Sequence, residues 1–370
     1  LIGGATTSKV HTAVKIEPHY QNDQVIYVAD ASRAVGVCSN LLSDDLKPAF
    51  AAEVKAEYAK ARQIFESKDR TKLISIAEAR SYKFSPDWAT YTPPTPTFLG
   101  VREYTDYSLA DIEPFIDWTP FFQSWELHGR YPAILQDDVV GEAARSLYAD
   151  AKAMLKKIVA EKWIAAAGVI GFFPANSVNH DDIELYAPED VGAASAARKP
   201  IMVWHNLRQQ LPKPKTGDVK PNWCLADFIA PKESGVQDYI GAFAVTGGIG
   251  IDAPVKAFED ANDDYSAILL KSLADRFAEA FAEHMHYRVR TELWGYAPNE
   301  ALSNDDLVDE KYVGVRPAPG YPACPDHTPK VELFKVLNAP NIGMELTEGY
   351  AMLPTAAVSG FYFSHPESRY

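Results

Sequence analysis

Hydrophobic and polar positions change their period several times along this chain. At the start, LIGG (1–4) is a short apolar run closed by glycines. Thr6, Thr7 and Ser8 offer N-caps to a helically spaced KVHTAVKIEPHY. QVIYVAD (24–30) is the next strand, and ASRAVGVCSNLLS, from Ala31, the next helix. This strand–helix alternation predicts part of a doubly wound α/β sheet over residues 1–65, with ligands expected at the carboxyl ends of the strands. DDLKPAFAAEVKAEYAKARQIFESKD, from Asp44, is a long charged helix that reads as a connector.

Residues 66–95 read as a linker. FSPDWATYTPPTPTFLG (84–100) carries too many large apolar residues for a free chain and is expected to lie extended on the next domain. Residues 96–370 read as one mixed domain. RSLYADAKAMLKKIVAEKWI (145–164) has the helical period. AAGVIGFFPANSV, DDIELYA, PIMVWHNLR, CLADFIAP and DYIGAFAVTGG read as strands. Residues 263–296 form the longest helical pattern, opened by Asp263 and Asp264 where the helix dipole favours them. Strands first and a dominant helix later predict an α+β domain with a mainly antiparallel sheet.

Composition narrows the chemistry. The net charge of −14, with no basic stripe, argues against nucleic acid. Three well-separated cysteines cannot form a fully paired disulfide set, which points to a reducing cytoplasm. No apolar run approaches membrane-spanning length. Leu1 opens a strand already under way and YFSHPESRY ends without a helix or tail, so the chain is expected to be cut from a longer one. CxxC, HExxH and GxSxG are all absent. His284 and His286, two apart on the long helix, point to different faces and cannot chelate together. VTGGIGI (245–251) reads as a glycine turn ending a strand.

Three features stand out. Asp275, Glu279 and Glu283 stand four apart on the long helix, either a solvated face or a functional stripe. Asp117, in FIDWTPFFQSW, is a carboxylate among aromatics and needs a partner: backbone N–H groups or a ligand amine. RPAPGYPACPDHTPK (316–330) carries five prolines and should run extended with unpaired carbonyls, as a groove floor or as a surface loop. In the first case Arg316 would suit a carboxylate, and Tyr321 a base or a cation.

This ribbon, together with DWTPFF, GYAPNE, ADRFAEAFAE and VSGFYFSHPESRY, resembles the C-terminal activation domain of cobalamin-dependent methionine synthases. LIGGATTSKVHTAVKI and YVADASRAVGV resemble the end of that family's cobalamin-binding domain, so the likeness runs through essentially the whole chain. The resemblance implies a module that binds S-adenosylmethionine and presents its methyl group for reductive methylation of cob(II)alamin. The electron would come from flavodoxin or a related flavoprotein, within an enzyme that methylates homocysteine. It implies that Asp117 takes the ligand's ammonium and Arg316 its carboxylate. Pro317, Ala318 and Tyr321 would lie along the adenosine, and Glu279 and Glu310 would supply negative field. Tyr370 would be a further contact. Gly3, Gly4 and Ala31 match positions near the cobalamin tail, and Asp275 and His327 match residues that meet the cobalamin module. Catalytic side chains are not implied, because a sulfonium leaves without acid–base help. The Asp-x-His-x-x-Gly segment that ligates cobalt in the family is missing, as are the homocysteine module with its zinc and the folate module. The fragment alone is therefore expected to lack methionine synthase activity. Residues 46–95 are expected to act as the hinge. Two alternatives remain open: a flavodoxin-docking module without its own ligand, and another adenosylmethionine-dependent methyltransferase.

Overall fold

A computed structural model describes residues 1–3, 8–20, 22–28, 31–67, 73–192, 198–214 and 219–369. The chain forms two compact units, Leu1–Leu73 and Ile74–Tyr370.

In the first unit, β1 (Ile2–Gly3) pairs in parallel with β2 (Tyr27–Val28). The connection between them is helical over 9–19, and α1 (Ala31–Leu42) and α2 (Lys47–Ser67) follow, so this is α/β structure. The sequence reads α2 as a connector, but it is part of this unit's core. Phe50, Val54, Tyr58 and Ala61 recur at helical spacing, and Val54 and Tyr58 are buried with Ala13, Ile26 and Val28. The Tyr27 N–H donates to Tyr58 Oη (2.8 Å), and Arg62 pairs with Glu17 (2.6 Å). Many surface charges obscure this one apolar stripe.

The second unit begins with α3 (Ile76–Ser81) and an extended strap. Phe84 packs on Trp223 (ring centroids 5.0 Å apart), Tyr91 on His365 (4.6 Å), and Trp294 Nε1 donates to the Pro94 carbonyl (2.8 Å). The strap therefore lies against its own unit, as its aromatic content requires. Neither α2 nor this strap is free to act as the broad hinge expected over 46–95.

The strap leads into β3 (Gly100–Tyr107), then α4 (Trp118–Ser124) and α5 (Gly141–Glu161). A six-stranded sheet follows, built on β4 (Ala165–Val178), β5 (Asp182–Tyr186), β6 (Pro200–His205), β7 (Asp238–Ile249) and β8 (Ala357–Tyr362). Its order is β8-β7-β4-β5-β6, all antiparallel, with β3 pairing the first half of β4. α6 (Asp252–Asp260) and α7 (Asp264–Arg288) come after β7. On one face, Ile170, Phe172 and Phe243 pack against Leu270, Phe277 and Phe281 of α7. On the other, Val169, Phe173 and Ala244 pack against Leu333 and Leu337 of a later helix, Pro329–Leu337. Both faces of β4 and β7 are buried, so these strands read as continuous apolar runs. β7 ends before Gly250 (φ +85°), the glycine turn expected there.

CLADFIAP is not a strand. Leu225–Phe228 is a 3-10 turn in which the Asp227 carboxylate accepts from the Cys224 N–H (3.1 Å). Asp227 also binds Arg208, whose side chain is 0% exposed and which pairs with Asp181 as well (both 2.7 Å). A chain that must aim a carboxylate at a buried guanidinium turns there instead of extending.

Asp238, the first residue of β7, is buried and accepts from the Ala230 (2.8 Å) and Tyr239 (2.7 Å) N–H groups. Burial pushes its pKa up to about 7 in spite of those bonds. The folded chain then keeps a proton that the unfolded chain releases near pH 4. This contribution to stability is full below about pH 4 and is lost as pH rises through 7. In urea titrations, the stability of the wild type relative to Asp238→Asn should fall steadily from about pH 4 to 8. A difference that does not change with pH would contradict this assignment.

Candidate functional site

The ribbon begins as an added edge to the sheet. Val315 N–H donates to the Phe363 carbonyl (3.2 Å), Phe363 N–H to that of Val315 (3.0 Å), and Phe361 N–H to that of Pro317 (2.9 Å). An edge position suits proline, which has no N–H to offer a further strand. Gly360 permits the close approach, since a Cβ there would stand 2.5 Å from the Pro317 oxygen. The chain then turns tightly. Gly320 N–H donates to the Cys324 carbonyl (2.8 Å), Cys324 N–H to that of Tyr321 (3.0 Å), and Tyr321 N–H to that of Ala318 (3.2 Å). Gly320 has φ +105°, and the His327 imidazole fills the space a side chain would need. His327 Nδ1 is 3.1 Å from Lys330 Nζ. The expectation of unpaired ribbon carbonyls is thus corrected in part: those of Pro317, Ala318, Tyr321 and Cys324 accept internal donors. Phe361 on the sheet edge supplies one of those donors, and the non-proline residues of the ribbon's own turn supply the rest.

A cavity of about 390 Å³ opens along this ribbon. Glu279, Glu310, Arg316, Pro317, Ala318 and Tyr321 line it, so six expected ligand residues share one space. Tyr312 and Phe243 line it too and were not singled out from sequence. Tyr312 lies between Glu310 and Arg316 in DEKYVGVR, a signal that was available. Phe243 is hidden inside the apolar run of β7.

α7 supplies the acidic wall. Asp275 is exposed, Glu279 reaches the cavity four residues on, and Glu283 is half-buried and accepts from Arg316 Nη2 (3.2 Å). The stripe is therefore more than a solvated face. Behind it, buried Arg290 makes two 2.8 Å bonds to Glu300, with its guanidinium 4.2 Å from the Tyr312 ring centre. His286 is fully buried and stacked on Tyr362 (5.1 Å). Burial, reinforced by Arg290 and Arg316, holds its pKa well below the usual value, so the ring is neutral. His284 faces elsewhere, 2.8 Å from Tyr107 Oη. The charge of Glu279 raises the Tyr321 pKa, which puts the exposed phenol in that carboxylate's field.

Asp117 is not in this cavity. It caps α4, accepting from the Thr119 N–H (2.9 Å), which is the backbone partner its surroundings required. It lines a second cleft, of about 490 Å³, with Arg130, Lys152 and Asn304. Both openings border residues 304–312, which begin with α8 (Asn304–Val308). In the first unit, Gly3 ends β1 and Ala31 starts α1. Gly4 and Tyr370 lie outside the described residues. Among the described residues, no cluster of His, Cys, Asp and Glu could hold a metal, and no helix is long and apolar enough to cross a membrane.

Comparison with known proteins gives the same picture. A solved structure, the MetH reactivation domain bound to AdoHcy, is 52% identical in sequence, with a TM-score of 0.75 over 81% of this chain and 89% of that one. Residues 108–370 match the family described as the vitamin B12 dependent methionine synthase activation domain. The ribbon, the acidic helix wall and strands β4 to β8 of the sheet all lie within that match, and the chain belongs to this family.

Proposed function

We propose that the cavity along residues 316–323 binds S-adenosylmethionine and presents its methyl group to cobalamin, so restoring an oxidised methionine synthase. The observation that carries this is the convergence of two carboxylates, one arginine and an aromatic ribbon on one space. The ligand bound to the similar solved domain, AdoHcy, is what a methyl donor of this kind becomes after transfer.

Each wall has a chemical task. Arg316 pairs with the ligand's carboxylate through its planar fork. Glu279 and Glu310 attract the sulfonium without a covalent step. They must not hold it more tightly than the transition state, or transfer would slow. Pro317, Ala318 and Tyr321 lie along the nucleoside. Positioning of the methyl carbon does most of the work, since the sulfide leaves readily. Cobalamin, on its own module, supplies the metal that accepts the methyl group after one-electron reduction.

The wider roles follow from this reading. Gly3, Gly4 and Ala31 belong to the cobalamin module, Asp275 and His327 meet that module, and flavodoxin or a related flavoprotein delivers the electron. The complete enzyme would methylate homocysteine. Free Cys38, Cys224 and Cys324 suit a reducing cytoplasm. The ligand's ammonium and carboxylate share one carbon, so for Asp117 to hold the ammonium while Arg316 holds the carboxylate, that carbon must sit at residues 304–312, which both openings border.

A crystal of this chain grown with S-adenosylmethionine decides the reading. The nucleoside is expected between Tyr321 and the carboxylates of Glu279 and Glu310. Ligand found only in the cleft of Asp117 and Lys152 would overturn it.

A further inference from the structure

We infer that Cys324 is a positioning residue of this site, its thiol holding the turn that forms the cavity's ribbon wall; the inference rests on the function proposed above. Proline at 317, 319, 322 and 325 removes four backbone donors from the stretch that must hold its shape. A side chain takes over. Cys324, 5% exposed, donates from Sγ to the Ala318 carbonyl at 2.9 Å. The same oxygen accepts the Tyr321 N–H at 3.2 Å. A carbonyl has two lone pairs, and here two internal donors engage them. Ala318 therefore meets a ligand as a wall and not as an acceptor.

The turn is fixed at both ends. Pro317 is tied to the sheet edge through Phe361, and Cys324 is buried in the core beneath the sheet. Between those points the thiol closes the loop that carries Ala318 and Tyr321, both cavity residues. Burial raises the thiol pKa to about 12, so it remains a donor at physiological pH.

Cys324→Ser keeps a donor and Cys324→Ala removes it. In calorimetric titrations of the full chain with S-adenosylmethionine, the serine variant should bind within about twofold of wild type and the alanine variant about fivefold more weakly. Rescue by serine separates positioning from simple packing, and the melting temperatures need not follow the same order. An alanine variant that binds like wild type, or serine and alanine equally weakened, would overturn the inference. Should the alanine variant fail to fold, the infrared difference between wild type and Cys324→Ser decides. An S–H band shifted below that of a free thiol supports the bond, and an unshifted band excludes it. A wild-type chain that binds no S-adenosylmethionine would sink the proposed function, while the infrared band would still test the turn.

Discussion

Arg208→Ala should cost about 3–5 kcal/mol of stability, among the largest losses from any single substitution in the larger unit. The side chain is fully buried and meets Asp181 and Asp227 at 2.7 Å. It also donates to the carbonyls of Asn222 (2.8 Å) and His180 (3.2 Å). Its removal leaves Asp227, buried, without its cation and Asp181 with Arg80 alone, and a carboxylate stranded in this way is far costlier than the pair itself is favourable. Arg80 provides the internal control. It binds the same Asp181 at 2.7 Å but its side chain is 37% exposed, so Arg80→Ala should cost less than about 1 kcal/mol. Urea unfolding of the two variants checks both values. Equal losses would mean that the network is not organised around Arg208.

Legibility in the sequence followed burial. β4 and β7 were readable because both faces are covered and the apolar run is unbroken. α7 was readable because its buried positions keep the helical period over 25 residues. β3 carries little signal of its own: VREYTDY lies half exposed, and the strand it pairs with is about 65 residues away in sequence. β8 is short, and its six residues run straight into the aromatic tail, so no strand period stands out there. CLADFIAP is buried like a strand, but Asp227 bends it, and nothing local announces that its partner is Arg208.

The site divided in the same way. Residue types in the ribbon and on α7 indicated which groups meet, and six of them line one cavity. The pairing of the ribbon's carbonyls was not legible. It depends on register against Phe361, about forty residues further on, and on a turn that folds the ribbon back on its own N–H groups. Asp117 looked exceptional because its neighbours are aromatic, yet a helix start satisfies it, and a cap is a local event that the motif alone did not separate from ligand binding.

Arg316 carries the second large effect. It borders the cavity, is 17% exposed, and is oriented by Glu283, whose other side faces Arg290 at 3.8 Å. A guanidinium held in this way can offer a carboxylate two parallel bonds, which lysine cannot reproduce. Arg316→Ala should therefore weaken S-adenosylmethionine by at least about 1.4 kcal/mol, or tenfold, and Arg316→Lys should recover only part of that. Removing the arginine also frees Glu283, so the melting temperature is recorded alongside to separate affinity from folding. The direct measurement is calorimetric titration of wild type and both arginine variants with S-adenosylmethionine. Saturable binding by the wild type, at least tenfold weaker in Arg316→Ala while that variant remains folded, is the predicted result; equal affinity in a folded Arg316→Ala, or no binding by the wild type, would contradict it.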